Sequence, residues 1–431
     1  MHDLPLDIFY YLLRSFYFDK YTLVALMCVS RTFYSILAHV AFGTVSTAIP
    51  PNIPPNTHTN PNNPDVVPRV RVLSVRPAFH VIYPEVASDT VMYLARPLPN
   101  LRRIQLHRMN WRPADDRKIE RSYDVEHRSR IKHLFFHHVN IHTGHLPFLH
   151  AYLASLPSLQ TLVFVLRTEH PEVDLPLHLR VNVRGNTVRR VAIHLNHTLV
   201  RLTPSLSTYP LYTDLVELHI SNIVPADMDA LRDLVRENES SLRVLTLTFS
   251  VIIFEQASVD IWGPLNLERC TSLRTFVTGF PLLLNQFSPL SSEATFAFLR
   301  HFIEKLPASV FDIRLLILYP PHIIVHNAMV HIQWSDIIAT ICRPSIARIT
   351  FILFQTKERV RWHSSIIRKV KAILNNMYPS TSRSSRLVLE YMWTHPHADA
   401  APALYFGTLA HPLADEEYPW FDLHNDCVVY L

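Results

Sequence analysis

One apolar pattern recurs along most of this 431-residue chain: an apolar residue, two others, a second apolar residue, one other and a third apolar residue. We call this pattern the phrase. Clear copies begin at Val70, Leu101, Ile131, Leu159, Val188, Leu215, Leu242, Val310 and Ile346, and degenerate copies begin at Leu273 and Ser384. Successive copies are 27 to 38 residues apart. This spacing predicts a stack of similar repeats, because each repeat is too short to bury its apolar residues except against its neighbours.

Helical segments with recognisable end signals lie between the phrases. One follows Pro225-Ala226-Asp227, and Asn238 is placed to end it. Its apolar face consists of Met228, Leu231, Leu234 and Val235. A second segment follows Ser291 and stops at Pro307. A short strand followed by a helix in each repeat predicts an α/β fold.

These repeats resemble irregular leucine-rich repeats, and the resemblance implies a strand/helix solenoid over residues 69–390. The family places Asn or Cys two residues beyond the last apolar position of the phrase, where the side chain satisfies buried backbone. Asn110, Asn140 and Asn222 fall one residue out of that register, so a regular ladder of such side chains is not expected. The alternative is a non-repetitive α/β domain whose strands are evenly spaced.

The first three dozen residues predict a helical hairpin. Their apolar residues fall on two helical stripes, one containing Ile8, Phe9, Leu12 and Leu13 and the other Leu23, Leu26, Met27 and Val29. A hairpin of about 35 residues cannot bury enough of itself to be stable alone. Its apolar faces therefore need a partner, from this chain or from another.

The hairpin sequence Leu-Pro-x-Asp-Ile-Phe-x-x-Leu-Leu, followed by Leu-x-x-Leu-x-x-Val-Ser-Arg-x-Phe-Tyr, resembles the F-box over residues 4 to 38. Asp7 replaces the usual Glu, and the aromatic residues 16–18 replace a short polar turn. The positions that match are Leu4, Pro5, Asp7, Ile8, Leu12, Leu23, Leu26, Val29, Ser30, Arg31 and Phe33. The alternative is an ordinary amphipathic hairpin packed on the body of the protein.

The F-box resemblance implies a function. The hairpin would dock on the Skp-type adaptor of an SCF-type cullin-RING ubiquitin ligase, and through the adaptor on its cullin, while the repeats hold a protein substrate. The protein itself would be no enzyme and would need no cofactor. The implied adaptor-binding residues are Leu4, Pro5, Ile8, Leu12, Leu23, Leu26 and Val29. The principal alternative is a scaffold or nucleic-acid-associated repeat protein in which the hairpin only caps the first repeat.

Four regions follow from this interpretation. Residues 1–45 form the F-box-like helical module, and residues 46–68 form a linker rich in proline and asparagine, which oppose helix and central strand. Residues 69–390 carry the leucine-rich-repeat-like array. Residues 391–431 have no phrase and form either a cap on the array or an interaction tail.

The composition predicts a folded, soluble, intracellular protein of the cytoplasm or nucleus. Hydrophobic residues make up 48% of the chain and charged residues 18%, which excludes disorder over most of its length. No apolar run is long enough to cross a membrane, and the first residues do not resemble a signal peptide. The cysteines, Cys28, Cys270, Cys342 and Cys427, are far apart and are expected to be reduced core thiols.

No arrangement of residues indicates catalysis or a metal site. The six glycines are dispersed, so a phosphate-binding loop is absent. Histidines cluster at His137, His138, His142, His145 and His150. If that segment were helical, His138 and His142 would have a zinc-binding spacing, but a turn with surface imidazoles is the simpler expectation. The carboxylate pairs at Asp115-Asp116 and at Asp227 and Asp229 are interpreted as solvated loops and helix starts.

The charge is mildly basic, with a net value of +5. Local runs occur at Arg69 to Arg76, at Arg102-Arg103, at Arg189-Arg190 and from Lys357 to Lys371 beside Trp362. A basic stripe of this kind can grip phosphates. Spread over the whole chain, however, the excess is too dilute to argue for nucleic acid, and the segment from Lys357 is interpreted as a solvated helix face.

Overall fold

The structure, a computed structural model, describes residues 25, 27–29, 31, 34, 44–49, 67–77, 83–113, 130–142, 145–166, 188–194, 212–249, 265–281, 300–319, 345–355, 387–393 and 428–430. Within these residues the fold is α/β, with a large, mostly parallel sheet and few helices. The chain divides into two units, residues 1–186 and residues 187–431, which we call unit 1 and unit 2.

Unit 1 contains a parallel sheet in which the strands follow chain order. Its elements are β1 (Thr44–Ile49), β2 (Val72–Pro77), β3 (Glu85–Ala87), α1 (Ser88–Ala95), β4 (Arg103–His107), β5 (Asn110–Arg112), β6 (His133–Ile141), α2 (Leu146–Ala154) and β7 (Thr161–Leu166). The main sheet has the order β1-β2-β4-β6-β7. A second, short parallel sheet is formed by β3, β5 and the end of β6.

Unit 2 contains a longer sheet in chain order, parallel until its last pair. Its elements are β8 (Arg190–His194), β9 (Glu217–Ile223), α3 (Met228–Glu237), β10 (Val244–Phe249), β11 (Thr275–Pro281), β12 (Asp312–Tyr319), β13 (Arg348–Gln355), β14 (Leu387–Trp393) and β15 (Val428–Tyr430). β15 pairs with β14 in the antiparallel direction. Short 3-10 turns occupy Pro225–Asp227 and Leu267–Arg269, and residues 300–304 are helical.

The phrase sets the register of both sheets. In unit 1 its middle residues align as Leu73, Ile104, Leu134 and Leu162 on successive strands. In unit 2 the aligned middle residues are Val191, Leu218, Leu245, Phe276, Ile313, Ile349 and Leu387. The degenerate copies at Leu273 and Ser384 therefore form strands like the others. Each fully buried Leu, Ile or Phe contributes about 1.5–3 kcal/mol. A shift of one residue would exchange this apolar row with the mostly polar residues that alternate with it, which disfavours the shifted register.

The first apolar residue of the phrase is also buried in every described copy, from Val70 to Ile346. It precedes the strand. Helix α3 buries one face, made of Met228, Leu231, Leu234 and Val235, which confirms the predicted face. Asn238 caps the carboxyl end of α3, as predicted. Phe302, Ile303 and Leu306 are buried as well, just before Pro307.

Asparagine side chains form hydrogen bonds inside both units. Asn238 accepts a hydrogen bond from the Leu215 N–H at 2.8 Å and donates to the Leu234 carbonyl at 2.8 Å. In unit 1, Asn140 Nδ2 donates to Asn110 Oδ1 at 2.9 Å, and Asn110 Nδ2 donates to the Tyr83 carbonyl at 3.0 Å. Two of the three asparagines that looked out of register, Asn110 and Asn140, thus form a short ladder, because they lie on the second sheet of unit 1.

Left-handed backbone joins the two sheets of unit 1. Arg108 has φ 50° and follows β4, and His138 has φ 51° at the corresponding point of β6. The Arg108 N–H donates to the His137 carbonyl at 2.8 Å. The register of β6 against β7 shifts between His137 and Val139. These residues make the bulge through which the chain passes from the main sheet to the short one.

Two strands span predicted region boundaries. β1 spans the junction at residue 45 between the predicted helical module and the linker, and it pairs in parallel with β2. β14 likewise spans residue 390, the predicted end of the array, and pairs with β13. Sheet pairing, which composition does not report, extends the strands across both limits. Most of the predicted F-box hairpin lies outside the described residues.

Candidate interaction surfaces

The predicted adaptor-binding residues are described at one position. Val29 is helical and its side chain is 70% exposed. Leu4, Pro5, Ile8, Leu12, Leu23 and Leu26 lie outside the described residues. Met27, from the same predicted stripe, is buried at 6% exposure. Val29 is therefore accessible to a partner, whereas Met27 is not.

One contact joins this helical segment to the start of the sheet. The guanidinium of Arg69 lies over the ring of Tyr34, 5.5 Å from its centroid. Such a cation–π contact contributes about 0.5–1 kcal/mol at an exposed site. Tyr34 remains 38% exposed. Cys28, predicted to be a core thiol, is exposed, whereas Cys270 is buried and its pKa is raised to about 11, first by burial and then by Glu239.

The strands also have a second face, made by the residues that alternate with the apolar positions of the phrase. Many of these side chains are polar and nearly all are buried. In unit 1 the second face includes Ser74, Arg103, Gln105, His133, Phe135, His137 and Thr161. In unit 2 it includes Glu217, His219, Ser221, Thr246, Thr248, Thr275, Asp312, Arg314 and Thr350. Since these groups are enclosed, they are not available to a partner.

Histidines dominate the second face of unit 1. The rings of His107 and His137, on adjacent strands, are stacked with centroids 4.6 Å apart and planes 6° apart. Burial, and then the charges of His138 and Arg76, lowers the pKa of His137 to about 3. Burial and the neighbouring His137 also lower the pKa of His107 well below its usual value. The stack is therefore a pair of neutral imidazoles at neutral pH.

Ion pairs dominate the second face of unit 2. Glu217 lies 3.1 Å from the Arg190 Nε and 3.7 Å from the His219 Nε2. The other ring nitrogen of His219 is 2.8 Å from the Thr246 hydroxyl. On β12, both Nε and Nη2 of Arg314 donate to one Asp312 oxygen, at 3.0 and 2.8 Å. Charges that are buried together in this way match each other inside the unit.

The amino-terminal ends of the strands in unit 1 form a basic edge. We define the unit 1 edge as the residues one before, one after and two after the start of each phrase. They are Arg69, Arg71, Val72, Asn100, Arg102, Arg103, Arg130, Lys132, His133, Ser158, Gln160 and Thr161. Six of these twelve are Arg or Lys, and none is Asp or Glu. Parallel pairing therefore collects cations that are about thirty residues apart in the chain.

Backbone hydrogen bonds fix the cations of this edge in a row. The N–H groups of Arg102 and Arg103 both donate to the Arg71 carbonyl, at 2.9 and 3.0 Å. The N–H groups of Lys132 and His133 donate in the same way to the Arg102 carbonyl, at 2.8 and 3.1 Å. Adjacent parallel strands are about 4.8 Å apart, so three cationic side chains stand within roughly 10 Å. Arg102 is exposed, and Arg71 and Lys132 are half-buried.

The equivalent edge of unit 2 carries both signs of charge. Its described residues are Arg189, Arg190, Asp214, Val216, Glu217, Ser241, Arg243, Val244, Ser272, Arg274, Thr275, Ser309, Phe311, Asp312, Ser345, Ala347 and Arg348. Five are cations and three are acids. Two of the acids, Glu217 and Asp312, take part in the ion pairs described above. The sign of the edge thus differs between the units although their strand geometry is the same.

The basic edge was missed by the sequence analysis, which recorded Arg69, Arg71 and Arg102 only as local runs. Averaging charge over the whole chain concealed it. Counting charge at a fixed position of the phrase reveals the basic edge, because residues at equal positions of successive repeats become neighbours in a parallel sheet. The signal was present in the sequence, but its use required the register.

The histidine cluster forms neither the helix that a zinc-binding spacing would need nor the expected turn with surface imidazoles, since His137 and His150 are buried. His137 and His138 lie on strand β6, so His138 and His142 do not share a helix face. His150 is buried in α2, and burial lowers its pKa to about 3. Within the part of the chain that the structure describes, no three His, Cys, Asp or Glu side chains are grouped to hold a metal ion.

The remaining charged candidates are partly described. Asp227 Oδ2 accepts a hydrogen bond from the Val224 N–H at 2.9 Å, which is the helix-start role expected of it. Asp229 pairs with Arg232 on the exposed side of α3 at 2.9 Å. Asp115-Asp116 and the basic segment from Lys357 to Lys371 lie outside the described residues.

Comparison of the chain with known protein families and with curated protein sequences finds no match. Among the described helices, none has the length and apolarity needed to cross a lipid bilayer. The local chemistry of the surfaces above is therefore the basis for assigning a role.

Proposed function

We propose that this protein is the non-catalytic substrate-recognition subunit of an SCF-type cullin-RING ubiquitin ligase. The F-box-like hairpin docks on the Skp-type adaptor, and an irregular leucine-rich-repeat-like solenoid binds a protein substrate. The observation that carries the proposal is Val29, an aliphatic residue of the predicted adaptor-binding set that is 70% exposed on a helical segment. Covering it on an adaptor would remove apolar surface from water, which favours docking by about 25 cal/mol for each Å².

The proposed mechanism uses position instead of chemistry. A substrate held on the stacked units stays near the ubiquitin-conjugating enzyme that the cullin recruits. Tethering turns an encounter between two molecules into one within a single assembly and raises the effective concentration of the acceptor lysine. The parallel sheet supports this role because each repeat contributes one position to the same edge, so a partner can contact a long segment at several points.

Adaptor docking is tested by co-expressing the full chain with a Skp-type adaptor and measuring the amount of adaptor that co-purifies. Ile8→Glu with Leu12→Glu should abolish co-purification, and Val29→Glu should reduce it at least about tenfold, because a carboxylate would be buried at the interface without a partner. The matched control is Tyr93→Glu, since Tyr93 is an exposed residue of α1, 74% exposed, outside the predicted docking set.

Circular dichroism and thermal unfolding should give the same result for Val29→Glu and Tyr93→Glu as for the unchanged chain, because both side chains are exposed. Adaptor binding at full strength by the Ile8/Leu12 and Val29 variants would refute the proposal. Equal loss of adaptor with Tyr93→Glu would show that the effect of Val29→Glu is not specific to the hairpin.

A further inference from the structure

We propose that the unit 1 edge is a docking surface for an acidic segment of a partner protein, recognised through clustered carboxylates. If the proposed ligase role holds, that segment belongs to the substrate. Binding itself does not depend on that role. The inference starts from the charge of the edge, where six of twelve residues are Arg or Lys, five of these six are exposed or half-buried, and none of the twelve is acidic.

The excess of positive charge extends beyond the edge. The described residues of unit 1 include eleven Arg and Lys but only two acids, Glu85 and Asp89. Glu85 is already paired with Arg112 at 2.9 Å, and an oxygen of Asp89 accepts the Thr90 N–H at 2.9 Å. Neither Arg102 nor Lys132 forms an ion pair with any residue that the structure describes. These two side chains therefore supply charge that an added anion can neutralise.

The edge is held rigid before a partner arrives. Besides the backbone hydrogen bonds to the Arg71 and Arg102 carbonyls, two side chains that lie one residue before a phrase also bond to the neighbouring repeat. Asn100 Nδ2 donates to the Pro68 carbonyl at 2.7 Å, and the Arg130 guanidinium donates to the Pro99 carbonyl. A row of cations whose backbone is already ordered loses little freedom when it binds, which favours affinity.

The chemistry of the edge favours a peptide over a nucleic acid. Sequence-tolerant binding of single strands needs exposed aromatic rings on which bases stack. None of the twelve edge residues is Phe, Tyr or Trp. Two aromatic rings contact edge residues: Phe135 is buried beneath Arg103, and Tyr34 has the guanidinium of Arg69 over one face. Guanidinium and ammonium groups in a row, without stacking rings, fit carboxylates along an extended peptide.

The experiment measures fluorescence anisotropy of a labelled peptide in which glutamate alternates with serine, added to the purified full chain. We expect saturable binding that weakens at least about fivefold when salt rises from low to physiological strength or above, because exposed charges are screened. A peptide in which lysine replaces glutamate should not bind. A labelled oligouridylate of the same net charge should bind more weakly than the glutamate peptide.

Two double variants locate the surface. Arg102→Glu with Lys132→Glu should weaken peptide binding at least about tenfold. The matched control is Arg243→Glu with Arg274→Glu, which makes the same change of net charge at the same phrase position of unit 2, and it should change binding less than about twofold. Arg102, Arg243 and Arg274 are exposed and Lys132 is half-buried, so thermal unfolding should stay close to that of the unchanged chain.

Three results would overturn the inference. Absence of binding by the glutamate peptide would do so, and so would an equal loss in both double variants, since binding would then follow net charge alone. Tighter binding of oligouridylate that is lost in the unit 1 variant would assign the edge to nucleic acid instead. Co-purification of the adaptor is measured separately: its loss in the Ile8/Leu12 variant with peptide binding retained supports both proposals, and each can fail while the other stands.

Discussion

Unit 1 and unit 2 are built on the same sheet register but differ sharply in charge. The described residues of each unit include eleven Arg and Lys, yet unit 1 has two acids and unit 2 has eleven. Inside unit 2 the charges are matched, as in the pairs of Glu217 with Arg190 and of Asp312 with Arg314. Inside unit 1 the second face instead holds neutral imidazoles and Phe135, with Arg103 over the ring of Phe135 at 5.2 Å.

The comparison indicates that the phrase sets the strand register in both units, while the other positions of each repeat can differ in charge. Apolar residues at three positions per repeat align the strands, since a slip of one residue would exchange the apolar row with the polar second face. At the other positions, unit 2 has buried charges that neutralise each other, whereas unit 1 has a positive edge. Three predictions test whether this contrast has energetic consequences.

The largest expected effect is a selective loss of stability of unit 1 in acid. The pKa of His137 and that of His150 are both lowered to about 3, so the unfolded chain binds protons below pH 6.5 that the folded unit does not. Stability is therefore full above pH 6.5 and falls as the pH decreases toward 3. Each histidine costs about 2 kcal/mol between pH 6.5 and 5, or roughly 4 kcal/mol together.

Hydrogen exchange measured by mass spectrometry at pH 7 and pH 5, corrected for intrinsic rates, checks this prediction. Peptides from β4 and β6 should lose more protection than peptides from β10 and β11. The variant His137→Gln should lose less protection in acid, because its side chain does not titrate. A parallel decline of both units would contradict the assignment of acid sensitivity to the buried imidazoles of unit 1.

An intermediate effect is expected from the asparagines that satisfy backbone. Asn238→Ala should cost unit 2 about 2 kcal/mol, because the buried N–H of Leu215 loses its acceptor. Asn140→Ala in unit 1 should cost about 1 kcal/mol, since its bond to Asn110 joins two half-buried side chains. Urea unfolding measures both values. The exposed Asn100, changed to Ala, is the control with the smallest expected cost, and a cost equal to that of Asn238 would invalidate the ranking by burial.

The smallest effect concerns backbone strain. Arg108 and His138 in unit 1 have positive φ, whereas the described left-handed residue of unit 2 is Asn266, a residue type that tolerates this region. Arg108→Gly should therefore leave stability unchanged or raise it by up to about 1 kcal/mol. Arg102→Gly, in ordinary backbone, should lower it by roughly 0.5–1 kcal/mol. Thermal unfolding compares the two variants, and an equal loss in both would argue against strain at Arg108.

The short sheet of unit 1 illustrates the limit of pattern reading. The offset of Asn110 and Asn140 from the expected position argued against a side-chain ladder. In the structure both residues lie on strands of the short sheet, and their offset is what brings them together. The bulge at His138 that creates this arrangement depends on contacts between β6 and its neighbours, and no local signal in the sequence identifies a positive φ at histidine.

The sequence by itself determined the α/β class, the positions of the strands and the buried face of α3, because apolar spacing and helix-end signals act over a few residues. It also determined which residues would align, since equal positions of the phrase meet in a parallel stack. Only the tertiary structure decided that Val29 is exposed beside a buried Met27, that His137 is kept neutral and that six cations share one edge. These properties depend on which residues become neighbours across about thirty residues of chain, and burial and charge are set by those neighbours.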